Sequence, residues 1–214
     1  MELAFPILCL VTDRAQCEGR PLTQVVERAV SGGVNLVQLR EKDLPASRLL
    51  ELACAIREIT RGRALLFIND RVDVALACEA DGVQLGEEGL PTLAARRIAG
   101  ERLLIGRSVH SAESARKAEA DGAHLLVLGT VFPSGSHPGG ETGGLARVRE
   151  AAAAVSVPVV AIGGITASNA ASVMEAGASG VAVISALTKA PDPSATAKEL
   201  VSAMKASWLR RKTG

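Results

Sequence analysis

Tyrosine is absent from the 214 residues, tryptophan occurs once and phenylalanine three times. So few rings leave little for stacking on bases or sugars, and the core must be built from Ala, Val, Leu, Ile and Gly. An excess of one charge is also missing: 24 Lys and Arg face 23 Asp and Glu, a formal net charge of +1. Such a balance offers no polyanion-binding surface and argues against nucleic acid as a partner. No apolar run approaches the roughly 18–20 residues that span a bilayer, so no membrane partner is expected. The amino-terminal stretch MELAFPILCLVTDRAQ has no basic region ahead of its apolar residues, and it reads as a buried strand rather than a signal peptide. Cys9, Cys17, Cys54 and Cys78 form no CxxC pair and have no His at ligand spacing. They read as idle thiols of a reducing compartment, which predicts a cytoplasmic protein. Disorder is excluded by 48% hydrophobic and 22% charged residues.

What is present is a series of short β-rich runs: 7–13, 34–40, 64–70, 82–85, 103–108, 125–129, 158–164 and 181–185. Each is nearly continuous in apolar residues, as strands buried on both faces of a parallel sheet should be. Between them lie stretches with helical apolar spacing, such as 45–59 and 111–120. Helix-end–glycine–strand joints repeat as SGGVNLVQL, EADGVQL, EADGAHLLVL and EAGASGVAVI. The alternation predicts an α/β chain forming a single (β/α)8 TIM barrel over residues 1–214. A doubly wound open sheet is the alternative, but VTDRAQ after Leu10 supplies no GxGxxG turn.

A barrel of this kind carries its site at the carboxyl ends of the strands. At the end of the second run, Gln38, Arg40 and Lys42 fall on one side by the period of two, a cationic set suited to an anion such as a pyrophosphate. Salt bridges to Glu41 and Asp43 are the competing use of the same cations. Asn69 and Asp70 end the third run, and Asp70 could hold magnesium or serve with Asn69 as a helix cap. Arg107, Ser108 and His110 end the fifth. The long Gly- and Ser-rich connection 130–144 contains His137. In AIGGITASN, Gly163 and Gly164 permit close backbone approach and Thr166 or Ser168 could cap a helix, a seat for phosphate that Ser185 would close. Tight turns alone would use the same glycines. His110 and His137 are the candidates for proton exchange near neutral pH, whereas His124 falls at the opposite, structural end.

In their order and spacing, LVTD, GGVNLVQLREK, FINDRVDVALACEADGVQLG, GRSVHS, LGTVFPSGSHPG, VPVVAIGGI and AGASGVAVISA resemble the thiamine phosphate synthase family. That family includes the TenI-type thiazole tautomerases, and the resemblance covers residues from about 7 to 205. It implies a thiazole phosphate held by Gly164, Ile184 and Ser185. It also implies a pyrimidine pyrophosphate held by Gln38, Arg40, Lys42, Asn69 and Ser108, with Asp70 on magnesium. Ser134 and Ser136 of the loop count among the substrate-binding residues. Two positions depart from the synthase pattern: Gly89 stands where HLGQED ends in Asp, and His137 stands where PTxTK ends in Lys. GRSVHS is closer to the tautomerases, although Thr130 replaces the His of their GHVF. The preferred expectation is therefore a tautomerase that isomerises a thiazole carboxylate phosphate without a cofactor. In it His137 or His110 would carry the proton, and Arg107 or Arg40 would face the carboxylate. The alternatives are a magnesium-dependent synthase and a non-catalytic protein that binds thiazole phosphate; a homo-oligomer is left open.

Overall fold

The eight apolar runs become eight parallel strands that close on themselves in chain order, each hydrogen-bonded to its neighbours and β1 to β8. They are β1 (Ile7–Val11), β2 (Leu36–Leu39), β3 (Leu65–Asn69), β4 (Gly82–Leu85), β5 (Leu104–Val109), β6 (Leu125–Leu128), β7 (Val159–Ile162) and β8 (Gly180–Val183). The computed structural model describes residues 3–134 and 142–213, with the side chains of 211–213 left aside. The helices around the barrel are α1 (Leu22–Ser31), α2 (Ala46–Thr60), α3 (Val72–Ala77), α4 (Thr92–Ala99) and α5 (Ala112–Ala120). They continue as α6 (Gly144–Ala154), α7 (Ala170–Glu175), α8 (Ser185–Thr188) and α9 (Pro193–Thr213). The fold is the expected (β/α)8 barrel. Several strands end a residue or more before their apolar runs do, because the last residues turn into the mouth.

Alternation along each strand divides the core into two layers. Leu8, Leu10, Val37, Leu39, Leu66 and Ile68 pack outward against helix residues such as Val26, Ala29, Ala53 and Ile56. The inward set is smaller and includes Ile7, Cys9, Val11, Leu36, Phe67 and Val160. Burial among these residues pushes the Cys9 thiol up to about 12, so it stays protonated and idle. Phe67 has room at the axis because the next two strands, β4 and β5, carry glycine beside it. A Cβ at Gly82 would lie 2.5 Å from the Phe67 ring, and one at Gly106 would lie 2.1 Å from Gln84 Oε1.

The helix starts follow from local chemistry. Ser111 caps α5 through a capping box with Ser114, its side chain accepting from the Ser114 N–H at 3.1 Å. At the amino end of β6, His124 Nδ1 accepts the Ile105 N–H at 3.1 Å, and Arg96 lies against the same ring. His124 is thus the structural histidine that its position predicted. No helix among the described residues is long and apolar enough to cross a membrane.

Candidate active site

At the carboxyl ends of the strands lies a cavity of about 1720 Å³. A single-ligand pocket is roughly 300–1,000 Å³, so there is room for two reactants together. Gln38, Arg40, Lys42, Asn69, Asp70, Ser108, His110, Ser134, Gly164, Ile184 and Ser185 all line it. Residues from β2, β3, β5, β6, β7 and β8 therefore converge from positions spread over most of the chain. Ser136 and His137 lie outside the described residues.

On the β2 side, Gln38 is the last inward residue of the strand, and Arg40 and Lys42 follow in the loop. The salt-bridge use of these cations is not the one the described residues show. Glu41 and Asp43 both turn to Arg14, at 3.0 Å from Nη1 for Glu41 and in a two-point contact for Asp43. Among the described residues, neither Arg40 nor Lys42 forms an ion pair, so both are available to an anionic ligand. The Arg14 hydrogen bond holds the Asp43 carboxyl below its ordinary value, which keeps that anion fully charged and committed to Arg14.

Asp70 terminates β3 with φ +58°, a left-handed backbone that Asp and Asn tolerate better than most residues. Its Oδ1 accepts the Gly86 N–H at 2.7 Å and its Oδ2 accepts Asn69 Nδ2 at 2.8 Å. The expected cap role is not what its hydrogen bonds serve, since Arg71 is the N-cap of α3 and makes no side-chain cap bond. Among the described residues no cluster of three or more His, Cys, Asp or Glu side chains is placed to hold a metal. Magnesium needs no such cluster, because it keeps several waters and takes one or two carboxylates plus substrate phosphates. A Cβ at Gly89 would sit 2.4 Å from Asp70 Oδ1. Gly89 thus packs closely on the carboxylate with no room for a side chain, and the chemistry of the one carboxylate present, Asp70, is compatible with magnesium.

Opposite, Gly163 to Thr166 and Ile184 to Ala186 form a wall rich in backbone and short side chains, the kind of surface that suits a phosphate. Gly164 has φ +60°, and a Cβ there would lie 2.5 Å from the Pro133 carbonyl oxygen. The helix cap differs from expectation. Asn169 precedes α7 and its Oδ1 takes the Thr166 N–H at 2.9 Å, while the hydroxyls of Thr166 and Ser168 pair with each other at 2.8 Å. Lys189, which follows α8, also lines this wall. Sequence reasoning missed it, because a four-residue helix leaves no periodic signal.

Arg107 does not stand where the sequence placed it. It points out of the barrel, because Gly106 and Ser108 take the inward positions on either side of it. Its guanidinium holds the β4–α4 loop, donating to Leu90 O at 2.9 Å and Glu87 O at 3.1 Å. It therefore cannot face a substrate carboxylate in the cavity. His110 does face the cavity. Its Nδ1 lies 2.7 Å from the Gly129 carbonyl oxygen, an atom that can only accept, so Nδ1 carries the proton. Nε2 lies 3.3 Å from Glu87 Oε2, and the two pair only when Nε2 carries a proton as well. Ser108 Oγ accepts Gln84 Nε2 at 3.2 Å, which fixes its position at the axis.

Comparison with known proteins agrees with this geometry. The family model described as thiamine monophosphate synthase matches residues 8–187. Thiamine-phosphate synthase of Methanoculleus marisnigri is 50% identical over 195 residues, covering 90% of this chain and 92% of that one. Its counterpart in Moorella thermoacetica is 48% identical over 186 residues, covering 85% and 88%. Among solved structures, thiamine phosphate pyrophosphorylase from Pyrococcus furiosus superposes with a TM-score of 0.87 at 40% identity, covering 94% of this chain and 96% of that one.

Proposed function

Because the chain belongs to the thiamine monophosphate synthase family, we propose that it is a thiamine phosphate synthase. It would join a hydroxymethylpyrimidine pyrophosphate to a thiazole phosphate with release of pyrophosphate. The observation that carries this reading is the pair of unlike ends in one cavity. Two cations with no ion pair among the described residues stand at the end of β2, and a wall rich in backbone stands at β7 and β8. An isomerase acting on one carboxylate phosphate would need only one of these two cations, Arg40, for the carboxylate. The tautomerase preferred on sequence loses Arg107, one of its two candidate carboxylate partners, and keeps Arg40. The relatives compared above carry the synthase's name, and the reading moves accordingly from isomerase to transferase.

In this reading Arg40 and Lys42, with Gln38 and Asn69, grip the pyrophosphate of the first substrate. The backbone around Gly164 and Ser185 seats the phosphate of the second and aims its ring nitrogen at the pyrimidine methylene. The new C–N bond forms there as the C–O bond to pyrophosphate breaks, and the electron pair leaves with the pyrophosphate. The developing negative charge falls on groups already facing fixed cations, which is where electrostatic stabilisation has most effect. Magnesium held by Asp70 would supply further neutralisation of the leaving group. The test is an assay of the pure protein with both substrate sets, with magnesium and with EDTA. Magnesium-dependent formation of thiamine phosphate is expected. Turnover of the thiazole carboxylate phosphate that ignores EDTA, without any coupling, would restore the isomerase.

A further inference from the structure

Arg14 lies just beyond β1, in the 3-10 turn Arg14–Gln16, and is not part of the cavity wall. It nevertheless touches both acidic residues of the strand end that supplies the cavity's cations. Its Nη1 donates to Glu41 Oε2 at 3.0 Å and to Asp43 Oδ1 at 2.6 Å, and Nη2 reaches Asp43 Oδ2. Its backbone N–H reaches both oxygens of Glu41, at 3.2 and 3.3 Å. The Glu41 side chain is only 3% exposed. Its Oε1 also takes the Thr12 hydroxyl at 2.7 Å, and Thr12 Oγ1 in turn accepts the Arg40 N–H at 2.9 Å. In Arg40-Glu41-Lys42-Asp43, cation and anion alternate along four consecutive residues. Glu41 and Asp43 are thus the carboxylates adjacent in the chain to the two cations, and Arg14 holds both of them.

We propose that Arg14 is a positioning residue for pyrophosphate recognition: by holding Glu41 and Asp43 it keeps Arg40 and Lys42 free of internal counter-ions. One guanidinium fork can engage two carboxylates at once, which the single ammonium of a lysine does poorly. A carboxylate released beside Arg40 or Lys42 competes with the ligand for the same cation in a partly desolvated cleft. The inference rests on the synthase reading above, since it concerns the end of the cavity that only the pyrophosphate-bearing substrate would use.

The experiment titrates inorganic pyrophosphate by calorimetry into the wild type, Arg14→Gln and the triple variant Arg14→Gln/Glu41→Gln/Asp43→Asn. Inorganic phosphate serves as probe of the β7–β8 seat, and the thermal midpoint of each protein is recorded. Arg14→Gln should weaken pyrophosphate about tenfold while phosphate at the far seat changes less than about twofold. The triple variant should recover most of the loss, because nothing then competes for Arg40 and Lys42. In kinetics, KM for the pyrimidine pyrophosphate should rise in Arg14→Gln while KM for the thiazole phosphate stays. If Arg14→Gln does not fold, Arg14→Lys retains the charge, and it should still bind pyrophosphate several-fold more weakly. Equal weakening of the single and triple variants would reduce Arg14 to a structural role and overturn the inference. Full affinity in a folded Arg14→Gln or Arg14→Lys would do the same. A wild type that binds no pyrophosphate would instead overturn the synthase reading itself.

Discussion

Asp70 concentrates three demands on one side chain: a left-handed backbone, an acceptor for the Gly86 N–H, and a negative charge in the mouth. Asparagine meets the first two, lacks the third, and also gives up the hydrogen bond from Asn69 Nδ2. Asp70→Asn should therefore keep the fold and the loop while removing the carboxylate that fits magnesium. Removal of one electrostatic partner of a developing charge typically costs about 10²–10³ in kcat, and that loss is expected here with a thermal midpoint close to wild type. Asp70→Ala should lose as much activity and be less stable as well, since a non-glycine residue held left-handed costs roughly 1–2 kcal/mol. Coupling rates at saturating magnesium, read beside thermal melts, check both variants. A fully active Asp70→Asn would remove this carboxylate from the leaving-group chemistry.

The strands were the elements most legible in the sequence, and the reason is physical. A strand covered by helices on one face and by the barrel axis on the other must be apolar at nearly every position, as Ile7–Val11 is. The polar lining of the cavity was legible too, because Gln38, Asn69, Ser108 and Ser185 are polar where a core strand could not tolerate them. Arg107 was misplaced although the signal was available: with Ser108 directed inward, the period of two sends its neighbour outward. The role of Arg14 was not legible, since its partners lie 27 and 29 residues further along and meet it only once β1 and β2 pair. The amino end of β6 supports a prediction of its own. Burial, then the charge of Arg96, holds His124 below its ordinary value of 6.5. The folded state thus binds fewer protons here than the unfolded chain. The contribution is fully present above the unfolded value and is lost as pH falls below it toward the folded value. Urea midpoints should drop between pH 7.5 and pH 5.0, and His124→Asn, which retains an acceptor for the Ile105 N–H, should drop less. Parallel pH profiles for the two proteins would assign the acid sensitivity elsewhere.

At the scale of the whole molecule, closure makes the site and the fold a single cooperative property. The cationic end hangs from β2 and β3, the phosphate seat from β7 and β8, and β1 joins the two through its ladders to β2 and β8. No strand between them can detach without opening the barrel and separating the ligand's contacts. A ligand that spans these ends binds the closed state alone, and its binding energy adds to the stability of every strand together. At a concentration about 100 times its Kd, one such ligand stabilises by roughly 2.7 kcal/mol. For a chain of this size each kcal/mol moves the midpoint by about 2–4 °C, so a rise of roughly 5–10 °C in a single transition is expected. Scanning calorimetry with magnesium pyrophosphate, and separately with inorganic phosphate, makes the measurement. The two ligands should shift the same transition, because they grip opposite arcs of one ring. If saturating ligand left part of the heat absorption at its original temperature, the barrel would melt in sectors, and the two ends of the cavity would have to be treated as independent sites.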